Sequence, residues 1–181
     1  MNHTIVLNNQ PLCIRQLTGK DTHALFAYVN TLSAESRSRF MPHPFDIHHC
    51  FLVCNGLLHQ VTAFIAETAA GQIVAYMLLK EGLNSGEQQR LQQLYVVAGQ
   101  PCCTFAPSVA DAWQGKGLGA AMYPLLEAFI IAHTAYRVMV LWGGVQAGNQ
   151  KARHYYKKLG YQYAGTFWYN EMDNYDMIKT L

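Results

Sequence analysis

The stretch whose reading decides the fold is Val109-Ala110-Asp111-Ala112-Trp113-Gln114-Gly115-Lys116-Gly117-Leu118-Gly119-Ala120. Before it, Cys103 to Ala110 reads as a strand, and from Gly117 to His133 the apolar residues recur at helical spacing. A glycine-rich turn therefore joins a strand to a helix. Its three glycines let backbone approach a ligand closely. The first N–H groups of the following helix lack intrahelical partners, and the helix dipole adds positive potential beside them. The arrangement suits a pyrophosphate. Alone, the stretch also fits a turn with no ligand. Gly115, Gly117 and Ala120 match a dinucleotide fingerprint, but Val138 to Gly144 holds no Asp or Glu where that site needs one. A nucleotide P-loop is excluded, because no Lys-Ser or Lys-Thr follows the glycines.

Downstream, Arg137 to Trp142, extendable to Val145, is an unbroken apolar run and reads as a buried strand. Asn149 to Leu159 reads as a short helix, with Asn149 suited to the N-cap and Gly160 to the left-handed position beyond its end. At helical spacing Ala152, Tyr155 and Leu159 form its apolar stripe, and Lys151, His154 and Lys158 fall on the solvent side. Asn149 and Tyr156 share a line on neither of these faces. There they fit the edge of a cleft, or simply a cap and a half-buried tyrosine. Tyr161 to Tyr169 and Asp176 to Leu181 read as closing strands. Pro124, inside the helix after the glycines, is expected to bend it.

Upstream, Leu12 to Gln16 reads as the first strand and Asp21 to Leu32 as a helix capped by Asp21. Ala34 to Phe40 is expected to form a further helical turn, and Asp46 to cap a helix reaching about His59. Thr62 to Glu67 and Gln72 to Lys80, joined by Ala-Ala-Gly, read as a hairpin. Residues 82–101 take no firm assignment. Hairpins followed by a strand–helix–strand–helix unit indicate a mixed α/β sheet with helices packed on it.

Composition limits the function classes. The chain has 181 residues, one domain's length, so 1–181 is read as a single domain. It is 51% apolar and 13% charged, which excludes a disordered chain and a coiled coil. A net charge of +2 argues for neither nucleic acid nor membrane binding, and both are expected to be absent as partners. No run reaches the length of a membrane span, and Met1 to Pro11 does not read as a signal peptide. Five cysteines with no export signal point to free thiols in a reducing, cytoplasmic setting. The small net charge conceals an asymmetry. Ala112 to Trp168 carries Lys116, Arg137, Lys151, Arg153, Lys157 and Lys158 against Glu127 alone, giving +5 there and −3 in the remainder. The positive excess falls where a phosphate-rich ligand would use it.

Val109 to Gly119 and Asn149 to Tyr161 together resemble the two motifs of the GNAT superfamily of N-acetyltransferases. The first motif is V-x-P-x-Y/F-Q/R-x-x-G-x-G/A, with Asp111 here for the proline and Trp113 for the aromatic. The second is N-x-x-A-x-x-F/L-Y-x-K/R-x-G-F, matched through Asn149, Ala152, Tyr155, Tyr156, Lys158, Gly160 and Tyr161. The spacing leaves room for a helix and a strand between them, and Asp176 to Leu181 is similar to the family's last strand. The resemblance implies a GNAT-like fold of about seven mostly antiparallel strands, a central splayed parallel pair and about four flanking helices.

It also implies acetyl-CoA as cosubstrate, no metal, and a primary amine, of a small molecule or a protein, as acceptor. Pantetheine would pair with backbone at Val109, Ala110 and Asp111. The pyrophosphate would lie on Gly115, Lys116, Gly117, Leu118, Gly119 and Ala120, with Gln114 shaping the turn. A backbone N–H near Val109 would hold the oxyanion. Tyr156 occupies the general-acid position, and Asn149 would contact pantetheine or cap the helix. Relatives often place a glutamate on the strand before the glycines, but Cys103 to Ala110 has no carboxylate, which leaves Glu67, Glu81 and Asp111, near the expected sheet, as the acidic candidates for a base, each read more plainly as a strand-end or surface residue. That gap sustains a second reading, a non-catalytic acyl-CoA sensor. A homodimer is compatible with the open sheet edges of such a fold. The resemblance also has Phe40, His43, His48 and His49 bordering the acceptor pocket, although the plainer reading is a solvated loop. His48, His49, Cys50, Cys54 and His59 lack zinc-finger spacing, and a buried cysteine is usually a small apolar residue. Cys102 and Cys103 read as unpaired.

Overall fold

The computed structural model describes residues 2–40, 42–58, 60–94 and 96–181. The chain forms two compact units, the first from residues 1–79 and 106–132, the second from 80–105 and 133–181.

In the first unit, β1 (Asn2–Leu7) and β2 (Gln10–Gln16) make an antiparallel hairpin with Leu7 opposite Gln10. Asn8 and Asn9 sit at φ 50° and 62°, the pair of positive values that a two-residue type I′ turn requires. This hairpin adds a strand that the sequence reading does not include. β2 pairs with β3 (Val61–Thr68), and β3 is followed by β4 (Ile73–Glu81) and the last half of β5 (Cys102–Val109). Ile73 to Leu79 are all buried, so β4 is covered on both faces.

A 3₁₀ turn at Gly19–Asp21 leads into α1 (Thr22–Thr31), followed by α2 (Ala34–Arg39) and α3 (Ile47–Cys54). α3 ends five residues before His59, which lies outside the described residues. Asp46 caps it as expected, accepting the His49 N–H at 2.8 Å. Arg15 ties the sheet to the start of α1. It donates to both oxygens of Asp21 (2.7 and 2.8 Å) and to both of Glu67 (2.8 and 2.7 Å). Burial pushes the Asp21 carboxyl up, but Arg15 and Thr18 outweigh it, and the group ends below the ordinary range. α5 (Leu118–His133) buries Leu118, Met122, Leu126 and Ile130, one per turn, against the core. It runs through Pro124. The Ala120 carbonyl, deprived of its usual donor, belongs to an exposed residue where water can replace the bond.

The second unit opens with α4 (Ser85–Leu91), within the segment left unassigned above. Asn84 and Glu87 form a capping box: Asn84 Oδ1 accepts the Glu87 N–H (2.8 Å) and Glu87 Oε2 accepts the Asn84 N–H (2.9 Å). The first half of β5 pairs in parallel with β6 (Val138–Leu141), from Cys102 opposite Val138 to Phe105 opposite Leu141. The Trp142 N–H donates to the Phe105 carbonyl at 2.9 Å, and the ladder stops there. β6 and β7 (Val145–Gln146) pair with β9 (Met172–Thr180), and β8 (Gln162–Tyr169) joins the other edge of β9 with an irregularity between Tyr163 and Gly165. α6 (Gln150–Lys158) lies between β7 and β8 in the chain. Leu91, Val97, Cys102, Val138, Val140 and Ile178 form a core cluster.

The described residues thus hold nine strands and six α-helices; five of the strand pairings run antiparallel (β1–β2, β2–β3, β6–β9, β7–β9 and β8–β9) and one, β5 with β6, is parallel. The count exceeds the expected seven and four because β1, β7 and the short helices α2 and α4 are separate elements.

Candidate active site

In the first unit, Ala110 donates its N–H to the Val74 carbonyl at 2.9 Å. Backbone groups alternate sides along a strand, so Ser108 and Ala110 serve β4, whereas Pro107 and Val109 direct theirs to the opposite edge. Proline has no N–H. Val109 N–H is therefore the one donor that Ala106–Val109 presents on that edge. The Val109 carbonyl accepts the Gln114 side-chain amide at 3.0 Å.

A 3₁₀ turn, Asp111–Trp113, then leads to the glycines. Gly115 and Gly117 hold φ of 73° and 89°, where a Cβ is strained. The first helical hydrogen bond of α5 runs from Ala121 N–H to the Gly117 carbonyl at 3.0 Å, which leaves the amides of Leu118, Gly119 and Ala120 outside the helical ladder. Buried Leu118 anchors this end while Gly115, Lys116, Gly117 and Ala120 are exposed. The Lys116 ammonium lies 6.0 Å from the Trp113 ring centre. A run of amides outside the helical ladder with one cation beside it can hold a pyrophosphate.

The Asp111 carboxylate is engaged by the residues that open α2. Oδ2 accepts the Ser33 N–H (2.9 Å), and Oδ1 accepts the hydroxyls of Ser33 (2.8 Å) and Ser36 (2.6 Å). The Gln114 amide donates in turn to Ser36 Oγ at 3.0 Å. Hydrogen bonds from Ser36 and Ser33 hold the Asp111 carboxyl below its usual range. Glu67 is similarly committed, to Arg15. Of the three acidic candidates, Glu81, at the exposed end of β4, has no such pairing described.

A polar cluster lies on the face of β4 and β5 that α1 covers. The Tyr28 hydroxyl is bonded to Ser108 Oγ, and buried Tyr76 is bonded to His43 Nε2 at 3.0 Å. Phe40 and His43 are buried, which corrects the solvated-loop reading for both: their rings pack edge-on against Tyr76 at 5.8 and 5.9 Å. His48 is exposed, and His49 turns back to Asp46 at 2.8 Å. Cys50 and Cys54 are buried in α3, and burial pushes both thiols up to about 11.

In the second unit, Asn149 caps α6 by accepting the Ala152 N–H on Oδ1 at 3.1 Å. Tyr156 is half-buried, its ring edge-on to Tyr155 (5.2 Å) and Tyr161 (5.6 Å). The Tyr161 hydroxyl donates to Met139 Sδ, so this aromatic row is anchored on β6. The Tyr155 hydroxyl is buried with no hydrogen-bond partner among the described residues, and burial pushes its pKa up. Arg153 lies over Tyr175, 4.4 Å from the ring centre, and lines a cleft of about 200 Å³ with Lys157, Tyr163, Tyr175 and Met177.

Two buried carboxylates here escape the sequence reading. Glu87 Oε1 accepts the Gly143 N–H at 2.9 Å, and burial raises its pKa despite that bond. Asp176 accepts from Arg90 at 2.7 and 2.9 Å beneath a guanidinium stacked on Phe167 at 3.8 Å. Asn84-x-x-Glu87 is a signal that could have found Glu87 and α4. Nothing local marks Asp176.

The proposed cofactor residues Val109 to Ala120 thus form one continuous feature of the first unit, and Asn149 and Tyr156 share one helix of the second. Residues 27–161 match the family described as Acetyltransferase (GNAT) family. Among solved structures, the GNAT domain of S. lividans PAT is 18% identical, covering 99% of this chain and 97% of that one, with a TM-score of 0.76. The ribosomal-protein-S5-alanine acetyltransferase of Vibrio fischeri is 11% identical over 99% and 96%, with a TM-score of 0.75. Arabidopsis thaliana NAA60 in complex with acetyl-CoA is 15% identical over 94% and 98%, with a TM-score of 0.69. Among curated proteins no sequence match is found. The chain belongs to the GNAT acetyltransferase family, and the acetyltransferase class of enzymes is its class. No described helix is long and apolar enough to cross a membrane.

Proposed function

We propose that this protein transfers the acetyl group of acetyl-CoA to a primary amine by direct attack in a ternary complex. The observation that carries the reading is the glycine turn. Gly115 and Gly117 adopt positive φ, and the amides of Leu118, Gly119 and Ala120 stand outside the helical ladder as a cradle for the pyrophosphate. Pantetheine would lie along the Val109 edge of β5, contacting Val109, Ala110 and Asp111 through backbone.

The neutral amine attacks the thioester carbonyl carbon, a C–N bond forms, and the carbonyl oxygen takes up charge that the Val109 N–H stabilises. The C–S bond then breaks. The departing thiolate takes a proton from the Tyr156 hydroxyl, and the protonated nitrogen of the adduct loses one to solvent. A thiol near pKa 8.5 and a tyrosine near 10 are matched closely enough for that transfer. Asn149 would hold pantetheine or only the helix start, and its side-chain oxygen is already used for the latter.

The acceptor is an amine of a small molecule or of a protein. The protein is proposed to work as a single domain in the cytoplasm, which suits its five free thiols, and its open strand edges suit a homodimer. Nucleic acid, membrane and metal have no part in this reading.

A non-catalytic acyl-CoA sensor is favoured by one observation: β5 has no carboxylate, and Glu67 and Asp111 are committed elsewhere. The test is a thermal shift with acetyl-CoA followed by free-thiol release across a panel of small amines and peptides. A shift with amine-dependent thiol release supports the transferase. A shift with no release on any amine supports the sensor.

A further inference from the structure

We propose that Asp111 couples the acyl-CoA loop to helix α2, so that cosubstrate on the glycine turn orders residues 33–40. The inference rests on the acetyl-CoA reading above and adds a positioning residue to it.

α2 spans six residues, too few to be stable alone, and buries none of them. Its order depends on its ends. Leu32 and Phe40 are buried on either side, and Arg37 donates to the Leu32 carbonyl at 3.0 Å. Its N-terminus is held from outside by Asp111. Ser33 Oγ caps the helix from within, accepting the Ser36 N–H at 3.2 Å, while its own N–H and hydroxyl both go to the Asp111 carboxylate. Charge-assisted hydrogen bonds of this kind are about twice as strong as neutral ones.

The other side of the network reaches the ligand loop. Gln114, the residue before Gly115, divides its amide between Ser36 Oγ and the Val109 carbonyl, both at 3.0 Å. Ser36 thus receives from Gln114 and donates to Asp111, and the end of β5, the start of the glycine turn and the start of α2 share one set of bonds. An anion that fixes the amides after Gly115 restricts Gln114 and, through it, Ser36 and Ser33. Coupling is reciprocal, so an ordered α2 also favours the bound loop. A proline at position 111, which the family motif carries, would supply none of these bonds to Ser33 or Ser36. The coupling is therefore a property of this sequence.

Amide hydrogen exchange on the full chain, with and without saturating acetyl-CoA, tests the proposal. In the wild type, acetyl-CoA should slow exchange over residues 113–121 and also over 33–40, the latter by at least about fivefold. In Asp111→Ala, which removes the carboxylate and keeps the backbone N–H and carbonyl at 111, the 113–121 protection should persist while the 33–40 effect is lost. Asp111→Asn keeps one acceptor oxygen and should be intermediate. Melting curves identify any variant that does not fold, and the wild-type comparison stands without the variants. Protection of 113–121 without 33–40 in the wild type, or an unchanged 33–40 effect in Asp111→Ala, overturns the coupling alone. No protection at 113–121 in the wild type overturns the acetyl-CoA reading and the coupling with it.

Discussion

Tyr76 donates its buried hydroxyl to His43 Nε2 at 3.0 Å, and the other ring nitrogen of His43 fixes that direction. Nδ1 lies 2.7 Å from the Pro44 carbonyl, which can only accept, so Nδ1 carries the proton and Nε2 is the acceptor. Protonating the ring would make Nε2 a donor, so the Tyr76 hydroxyl would have to accept instead and turn its own proton elsewhere in a buried site, around a charge that burial disfavours. Burial, the largest influence, already holds the His43 pKa below its ordinary value, and the Pro44 bond offsets only part of it.

A folded value below the unfolded one stabilises the protein above about pH 6.5, and that stability is lost as pH falls through the folded value. Melting temperature should therefore fall between about pH 7.5 and about pH 5.5, and His43→Gln should flatten that limb. An equal pH dependence in wild type and variant would show that His43 does not titrate with folding.

Gly144 joins β6 to β7 at φ 71°, and a Cβ there would lie 2.7 Å from the Tyr175 carbonyl and 2.8 Å from the Phe167 ring. A backbone carbonyl cannot move aside as the end of a side chain can. Gly144→Ala should cost about 2 to 4 kcal/mol in urea denaturation. Gly143→Ala, with φ 70° but nothing within 4 Å, should cost about 1 kcal/mol. Similar losses at both positions would mean that backbone conformation, and not the clash, decides the cost.

The glycine turn and α6 were legible because local rules fix them. Positive φ at Gly115 and Gly117, the Asn149 cap and Gly160 at φ 90° depend on neighbours in sequence. β1 escapes the hydrophobic pattern although Asn8-Asn9 marks its turn, and α4 escapes it although Asn84 and Glu87 stand at capping-box spacing. β9 begins at Met172, four residues ahead of the expected strand, because pairing with β8 and β7 carries polar Asp173 and Asn174 into the ladder. The bond from Asp111 to Ser33 spans 78 positions, and that from Arg90 to Asp176 spans 86. No pattern along the chain announces such partners. The sequence shows a departure at Asp111, but only the fold shows what the carboxylate does.

Tyr156→Phe removes the proposed proton donor and keeps the ring between Tyr155 and Tyr161. With a responsive amine, kcat should fall at least about 100-fold, since positioned acids contribute that much. The acetyl-CoA dissociation constant, read by calorimetry, should change less than about threefold. Unchanged turnover would remove Tyr156 from the mechanism, and a matching loss of affinity would make it a binding residue.

The oxyanion assignment is open to a paired test, because Pro107 and Val109 face the same edge of β5 and only Val109 has an N–H. Val109→Pro deletes that donor while keeping an apolar side chain, and Ser108 before it already lies in a strand, as a residue preceding proline requires. The loss of one oxyanion donor should lower kcat about 100-fold or more. Pro107→Ala restores a second N–H to the edge. If the thioester oxygen rests against Val109, the new donor lies one residue pair away from the developing charge, and kcat should stay within about twofold. A rise of about tenfold or more in Pro107→Ala would instead place the acetyl group against residue 107, with proline there suppressing the rate. Melting temperatures measured beside the kinetics separate loss of the donor from loss of the strand.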